Sequence, residues 1–441
     1  MTLTAEACAD QICEVRHVLW GKIKRSELTC DTMWMLLGHG AQLPIRAVYF
    51  ILIARALGAE GYGAFIGVTA FVSIIAPFAS MGSGNILIKH VARDKSTFSK
   101  YWGRTIILTC SSGLILSVIT AAISTFILPK TIPFLLVVSV AIADLIFLAM
   151  LNVSGQAFQG FQRLTMTSFL LVLPNLTRLL VLIILIMFKK PTPLDLGYIY
   201  LLSTGFAFLT AIYVVARELG KPAYPRKVFD GEIKEGLYFS VALSSHSIFN
   251  DIDKTILTRL ATLEAAGIYA AAYRLVDVAF IPVRSLISAS YARFFMSGVN
   301  GMRGTVSLVG KLLPYAAAYG LAASLLLFAC APLVPIVFGR EFTEAIYALR
   351  WLSLLPLLKV LHYFPANALT GAGYQGLRSF CLVATALFNV ALNLWLVPKY
   401  SWKGAAWASI ASDSLYAVVI WGAVFWKLRA DSTVALANQG K

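Results

Sequence analysis

Apolar residues fill this chain in stretches of about 20, separated by short polar gaps, from Thr32 to Trp426. Each stretch is long enough to cross roughly 30 Å of hydrocarbon as a helix. Helix is the element expected there, because lipid offers backbone amides no partner outside the segment itself. The pattern predicts about twelve spans, over residues 32–54, 62–81, 105–128, 132–151, 165–188, 194–216, 236–258, 265–291, 308–330, 345–369, 378–397 and 403–427. No gap between them would hold a soluble catalytic domain. The chain therefore reads as a transporter and not an enzyme, and no catalytic residue is assigned.

Composition supports the class. Of 441 residues, 59% are apolar and 13% charged, where a soluble domain carries about 25% charge. The net charge of +16 would suit nucleic acid in a soluble protein. Here it follows the excess of Lys and Arg expected in cytoplasmic loops. With alternate loops assigned to one side, 22 Lys and Arg fall on the side holding both termini, including Arg16, Lys89, Arg93, Arg163, Arg217 and Lys234. Eight fall on the other: Arg55, Lys130, Lys189, Lys190, Arg259, Arg340, Lys399 and Lys403. That bias places both termini in the cytoplasm and excludes a nucleic-acid partner.

Six cysteines are present, and none has a partner in an external loop, so no disulfide framework is implied. Five scattered His residues give no metal-ligand spacing, and no Gly-rich phosphate loop follows a strand, so no metal or cofactor is expected. The first 30 residues lack the order of a signal peptide. Ile12, Val15, Leu19 and Ile23 recur there at helical spacing beside basic residues, which suits an interfacial helix in a cytoplasmic leader, 1–31.

The chain repeats itself. Arg55-Ala-Leu-Gly-Ala-Glu60-Gly-Tyr-Gly63-Ala-Phe65 matches Arg259-Leu-Ala-Thr-Leu-Glu264-Ala-Ala-Gly267-Ile-Tyr269 without a gap at an offset of 204. Ala157–Gly160 has a fainter echo in Ala368–Gly371. Six predicted spans separate the copies, so both halves point the same way and the substrate path lies between them. The expected organisation is an all-α polytopic membrane protein of two six-helix lobes, 32–217 and 236–427. They are joined by a cytoplasmic linker, 218–235, and followed by a tail, 428–441.

The Arg-x-Leu-Gly-x-Glu-Gly-Tyr-Gly segment resembles the end of the first helix in the polysaccharide-repeat (Wzx-type) flippases of the multidrug/oligosaccharidyl-lipid/polysaccharide exporter superfamily. Asp253-Lys254-Thr-Ile-Leu, followed by Ala266-Gly267-Ile-Tyr269-Ala-Ala-Ala-Tyr273-Arg274-Leu, is similar to the same family. The resemblance implies two lobes around a central cavity in a bacterial inner-membrane protein. It also implies outward flipping of an oligosaccharide on a polyprenyl pyrophosphate, such as an O-antigen or exopolysaccharide unit. Membrane lipids and the polysaccharide polymerase machinery are the partners it suggests.

Charged residues inside predicted spans are functional candidates, because each costs about 2.5–3.5 kcal/mol to insert. Arg46, Arg178, Arg284 and Lys359 have no counter-ion at i±3 or i±4. They are the candidate cavity cations, suited to a pyrophosphate that guanidinium groups bind bidentately. Arg274 with Asp277, and Asp251 with Lys254, are spaced as local ion pairs; with Asp253 they are also candidate coupling sites. Asp144 and Asp413 suit inter-helix pairing. Asn250, His362, Tyr363, Asn367 and Asn389 are candidate glycan contacts, with ordinary helix–helix hydrogen bonding as the competing reading. Pro44, Pro77, Pro174, Pro282, Pro314, Pro356 and Pro365 are expected to bend spans. An ion-coupled drug or metabolite antiporter of the same superfamily is the alternative, but cationic drugs favour a net acidic lining.

Overall fold

The computed structural model describes residue 42 and residues 44–223 and 232–439. The leader 1–31 and residues 224–231 of the linker lie outside the described residues. Every regular element in the described residues is helical.

The first helical run, Pro44–Phe78, is not a single rod. Gly58 within it has φ of 70°, a left-handed value that glycine adopts without steric cost. The next amide, Ala59, donates to Glu341 Oε2 at 3.0 Å instead of continuing a helix. Arg46 and Ser73 line one cavity, although a straight helix would hold them roughly 40 Å apart at 1.5 Å per residue. The chain therefore folds back at Gly58. The arms are α1 (44–57) and α2 (59–78). Then come α3 (Ser83–Arg93), α4 (Phe98–Ile127), α5 (Phe134–Gly160), α6 (Leu164–Phe188) and α7 (Pro193–Glu218). The second half holds α8 (Glu232–Leu260), α9 (Leu263–Ala279), α10 (Ile281–Gly298), α11 (Gly301–Cys330), α12 (Ala345–Gly371), α13 (Gln375–Tyr400) and α14 (Trp402–Gln439).

Among the described residues nine helices are long and apolar enough to cross a membrane, or ten if α9 and the start of α10 form one bent span. The sequence pattern predicts about twelve. That set takes the folded-back run as one helix, and it omits α8, whose first half carries Ser244, Ser245, His246, Ser247 and Asn250.

The helices are polar inward and apolar outward. Helix α4 buries Thr105, Thr109, Ser112, Ser117, Thr120 and Ser124 and exposes Leu114, Ile115, Val118, Ile119 and Phe126. A soluble helix does the reverse. The serines among them bond to carbonyls of their own helix, as in Ser117 Oγ donating to the Gly113 carbonyl at 2.7 Å. This is the surface of a multi-pass membrane protein.

The repeat is visible in space. Helices α2 and α9 follow the matched segments, and each leads into a further helix, α3 or α10, that was not expected in α3's case: residues 83–93 read as loop in the sequence. Gly160 at the end of α5 packs against Val91 of α3, and Gly371 at the end of α12 packs against Phe294 of α10. The AFQG and ALTG copies thus sit in equivalent contacts. Small residues allow such approach where lipid leaves no hydrophobic drive between helices.

The prolines divide into two groups. Pro174, Pro314 and Pro365 lie inside helices, as does Pro398. Pro282 instead sits in the first turn of α10, and Pro356 in the first turn of Leu355–Gly371, the second segment of α12, where a missing amide costs nothing. The 46° bend between α9 and α10 falls beside Pro282. The helix expected to end at 427 continues to Gln439.

Candidate functional site: a cationic cavity between the halves

A cavity of about 270 Å³ opens where α1, α2, α5, α6 and α7 of the first half face α8 and α9 of the second. Four cations line it, Arg46, Arg178, Lys254 and Arg274, against two carboxylates, Asp144 and Asp251. Its net charge is therefore positive when all are ionised.

Arg178 is the best-held cation. Its Nε and Nη2 donate to Thr204 Oγ1 at 3.1 and 2.8 Å. Its plane lies 3.6 Å from the centre of the Tyr200 ring, a stacked cation–π contact. Asp144 is 3.9 Å away, and the Tyr200 hydroxyl donates to Asp144 Oδ1 at 2.8 Å. Asp144 lies in a π-helical turn, Ala143–Leu148, inside α5. Such turns displace one residue from the regular helical ladder. The inter-helix role expected of Asp144 is therefore filled by Arg178 and Tyr200.

Arg46 is exposed to the cavity, and its Nε donates to Asn175 Oδ1 at 3.0 Å. Among the described residues this one bond leaves its other N–H groups free. On the facing wall, Lys254 Nζ pairs with Asp251 at 2.6 Å and donates to the Asn250 carbonyl at 2.7 Å. Ser73 of α2 donates to Asp251 across the halves at 3.3 Å. Arg274 lies 3.9 Å from Asp277 and 4.0 Å from the centre of the Phe50 ring.

The four cations singled out in the sequence do not form one cluster. Arg46 and Arg178 share this cavity. Arg284 lines a neighbouring one of about 140 Å³, together with Arg46 and Arg274. It is not without a counter-ion: Asp277 pairs with it at 3.0 Å. The bend after Ala279 brings a residue seven positions earlier within reach, which spacing rules for a straight helix miss. Lys359 is 1% exposed and donates to the Tyr273 hydroxyl at 2.8 Å. It reaches a small crevice in the second half, beside His362 and Asp413.

The candidate glycan contacts are mostly engaged inside the second half. His362 Nε2 meets Asp413 Oδ1 at 2.7 Å. Asn389 Nδ2 donates to Ser412 Oγ at 3.1 Å, and Asn367 Nδ2 to the Tyr363 carbonyl at 2.8 Å. His246 bridges Tyr363 and Asn250, each at 3.2 Å. Asp253 is buried, accepting from the Lys254 amide at 2.7 Å and from the Tyr269 and Ser409 hydroxyls. It does not line the cavity.

The sequence pattern of the polysaccharide biosynthesis protein family matches residues 28–297. The chain belongs to that family. No curated protein matches it. Among solved structures it is similar to a multidrug resistance MATE family transporter of the MOP superfamily in an inward-facing conformation. There the TM-score is 0.75 at 14% identity, covering 89% of this chain and 95% of that one. An outward-facing structure of such a transporter gives 0.60 at 17% identity, covering 91% and 94%. A MOP superfamily transporter from Pyrococcus furiosus, described as having a binding pocket of reverse polarity, gives 0.63 at 16% identity, covering 91% and 95%. The fold of this family member is therefore that of the MOP transporters. Its family and fold are those of transporters, as the sequence pattern suggested.

Proposed function

We propose that the protein is a flippase that moves a polyprenyl-pyrophosphate-linked oligosaccharide from the cytoplasmic to the outer leaflet of the bacterial inner membrane. The observation that carries this reading is the net-positive cavity between the halves, four cations against two carboxylates. A pyrophosphate needs such a lining, and planar guanidinium groups match its oxygens two at a time. Arg46 is exposed and its hydrogen bond is to the neutral Asn175 amide, and Arg178 is pre-positioned by Thr204 and Tyr200.

Alternating access follows from the two halves moving as bodies, 32–217 against 236–427. The Gly63–Gly267 contact between the halves is at the outer end by the charge bias of the loops, and Gly82 meets Gly236 at the opposite end of α2. A membrane potential negative inside favours an outgoing anion by about 2.3 kcal/mol per charge per 100 mV.

The test is purified protein in proteoliposomes loaded with a polyprenyl-pyrophosphate oligosaccharide on one leaflet. Protein-dependent appearance at the other leaflet is the expected result. No appearance, together with export of an organic cation against an ion gradient, would move the protein to the antiporter class.

A further inference from the structure

The cationic cavity continues into a second, larger one of about 640 Å³, sharing Ser73, Asp144 and Leu148 with it. This space lies along the lower half of α5, between that helix, α2, α6 and α8. Its volume falls within the range of roughly 300–1,000 Å³ typical of small-molecule sites. Its chemistry differs from the first: Asp144, at the junction, is its one ionisable residue, and amides and hydroxyls supply the rest of its polar lining.

Along α5 every residue from Ala149 to Gly160 is buried except three: Asn152, Gln156 and Gln159. Their spacing of four and three places them on one helical face. All three line the cavity, so their exposure is to this space. In a membrane protein a carboxamide facing hydrocarbon without a partner is costly. Gln156 has one bond, a weak one to Asn85 at 3.5 Å, and Gly84 leaves the room its side chain occupies. Asn152 and Gln159 make no side-chain hydrogen bond among the described residues. A row of amides held open in this way presents paired donors and acceptors with no charge.

We propose that this face of α5 is a glycan subsite, binding uncharged sugar rings through Asn152, Gln156 and Gln159 while the adjoining cations hold the pyrophosphate. The inference rests on the flippase reading and adds to it where the sugars lie. Each carboxamide offers an N–H and a C=O side by side, which vicinal sugar hydroxyls, acting as acceptor and donor, match. The order along the cleft is then pyrophosphate at Arg46 and Arg178, and sugars from Asn152 towards Gln159. The apolar side chains beside the amides, Leu148, Leu151 and Val153 among them, suit the C–H faces of the rings.

The experiment measures binding of two probes to the full chain in detergent: farnesyl pyrophosphate, and farnesyl pyrophosphate extended by a neutral disaccharide. Wild type is expected to bind the sugar-bearing probe about tenfold tighter. Asn152→Leu with Gln159→Leu is expected to bring the two affinities within about twofold, leaving farnesyl pyrophosphate binding unchanged. Neither side chain has a hydrogen-bond partner among the described residues, so the variant breaks none of those bonds, and retained farnesyl pyrophosphate binding verifies that the fold is kept. The more conservative Asn152→Gln is expected to retain part of the preference. A preference that persists undiminished in the double Leu variant, or is absent from wild type, would overturn the subsite and leave the flippase reading standing. Failure of wild type to bind either probe would overturn that reading and the subsite with it.

Discussion

Gly63 and Gly267, the matched glycines of the two repeats, make the same contact in reciprocal fashion. A side chain on Gly63 would collide with the Leu263 carbonyl, and one on Gly267 with the Ala59 carbonyl. Ala59 and Leu263 are themselves repeat partners at the offset of 204. The first turns of α2 and α9 therefore cross with backbone against backbone, related by a pseudo-two-fold axis. Gly63→Val or Gly267→Val should prevent this end from closing. Cysteines introduced beside the crossing should become reactive to a membrane-impermeant thiol reagent, at a rate about tenfold above the parent, the ratio that a shift of about 1.4 kcal/mol produces. Unchanged reactivity would mean that the crossing is not the contact that shuts this end.

The same end is tied by two reciprocal helix caps. Arg55 donates from Nε to the Val337 carbonyl at 2.7 Å and from Nη2 to the Ile336 carbonyl, at the end of the short helix Val334–Phe338. Glu341 accepts the first amide of α2, from Ala59. The repeat shows why this bond crosses the halves. Thr262, the counterpart of Gly58, caps its own helix by accepting from the Ala265 amide at 3.0 Å, whereas Gly58 has no side chain to do so. Removing a cap costs about 0.5–2 kcal/mol. Glu341→Ala should shift the closed-to-open ratio of this end by that amount, roughly two- to thirtyfold. Distances between spin labels across the crossing would measure it, and an unchanged distribution would count against the latch.

Arg178 should show a split between folding and function. Its loss leaves Asp144 buried with only the Tyr200 hydroxyl, and breaking a buried pair on one side costs about 3–5 kcal/mol. Arg178→Leu should lower the thermal midpoint in detergent clearly. Asp144→Leu added to it should restore most of the midpoint, because no uncompensated charge remains. Translocation should stay lost in the double variant. Recovery of both would make the pair purely structural.

Much of this was legible in the sequence for physical reasons. Hydrocarbon thickness fixes span length, so α4 to α7 and α11 to α14 fall close to the predicted positions. The Arg-Glu-Gly repeat was readable because a close backbone crossing demands glycine at Gly63 and Gly267. The intramembrane charges were findable by their cost, but their partners were not. Arg178 meets Asp144 across two helices, and Arg284 meets Asp277 across a bend, neither of which linear spacing encodes. The amide face of α5 is not legible in the sequence because Asn152, Gln156 and Gln159 carry no charge and do not stand out beside charged residues. Only the burial of everything around them marks it. Helix α3 does not show in the pattern because Lys89, Arg93 and Asp94 give that segment the charge of a connection.

The central claim is that cations in the inter-half cavity carry an anionic headgroup, and Arg46 tests it most directly. Its guanidinium is exposed to the cavity, and its one hydrogen bond among the described residues, to Asn175, is to a neutral amide. Arg46→Gln should therefore leave the thermal midpoint nearly unchanged. Translocation of the polyprenyl-pyrophosphate oligosaccharide in proteoliposomes should fall about ten- to hundredfold, matching the roughly 1.5–3 kcal/mol of a charge-assisted hydrogen bond, with Arg46→Lys between the two. A full rate in Arg46→Gln, in a preparation where wild type translocates, would contradict the account.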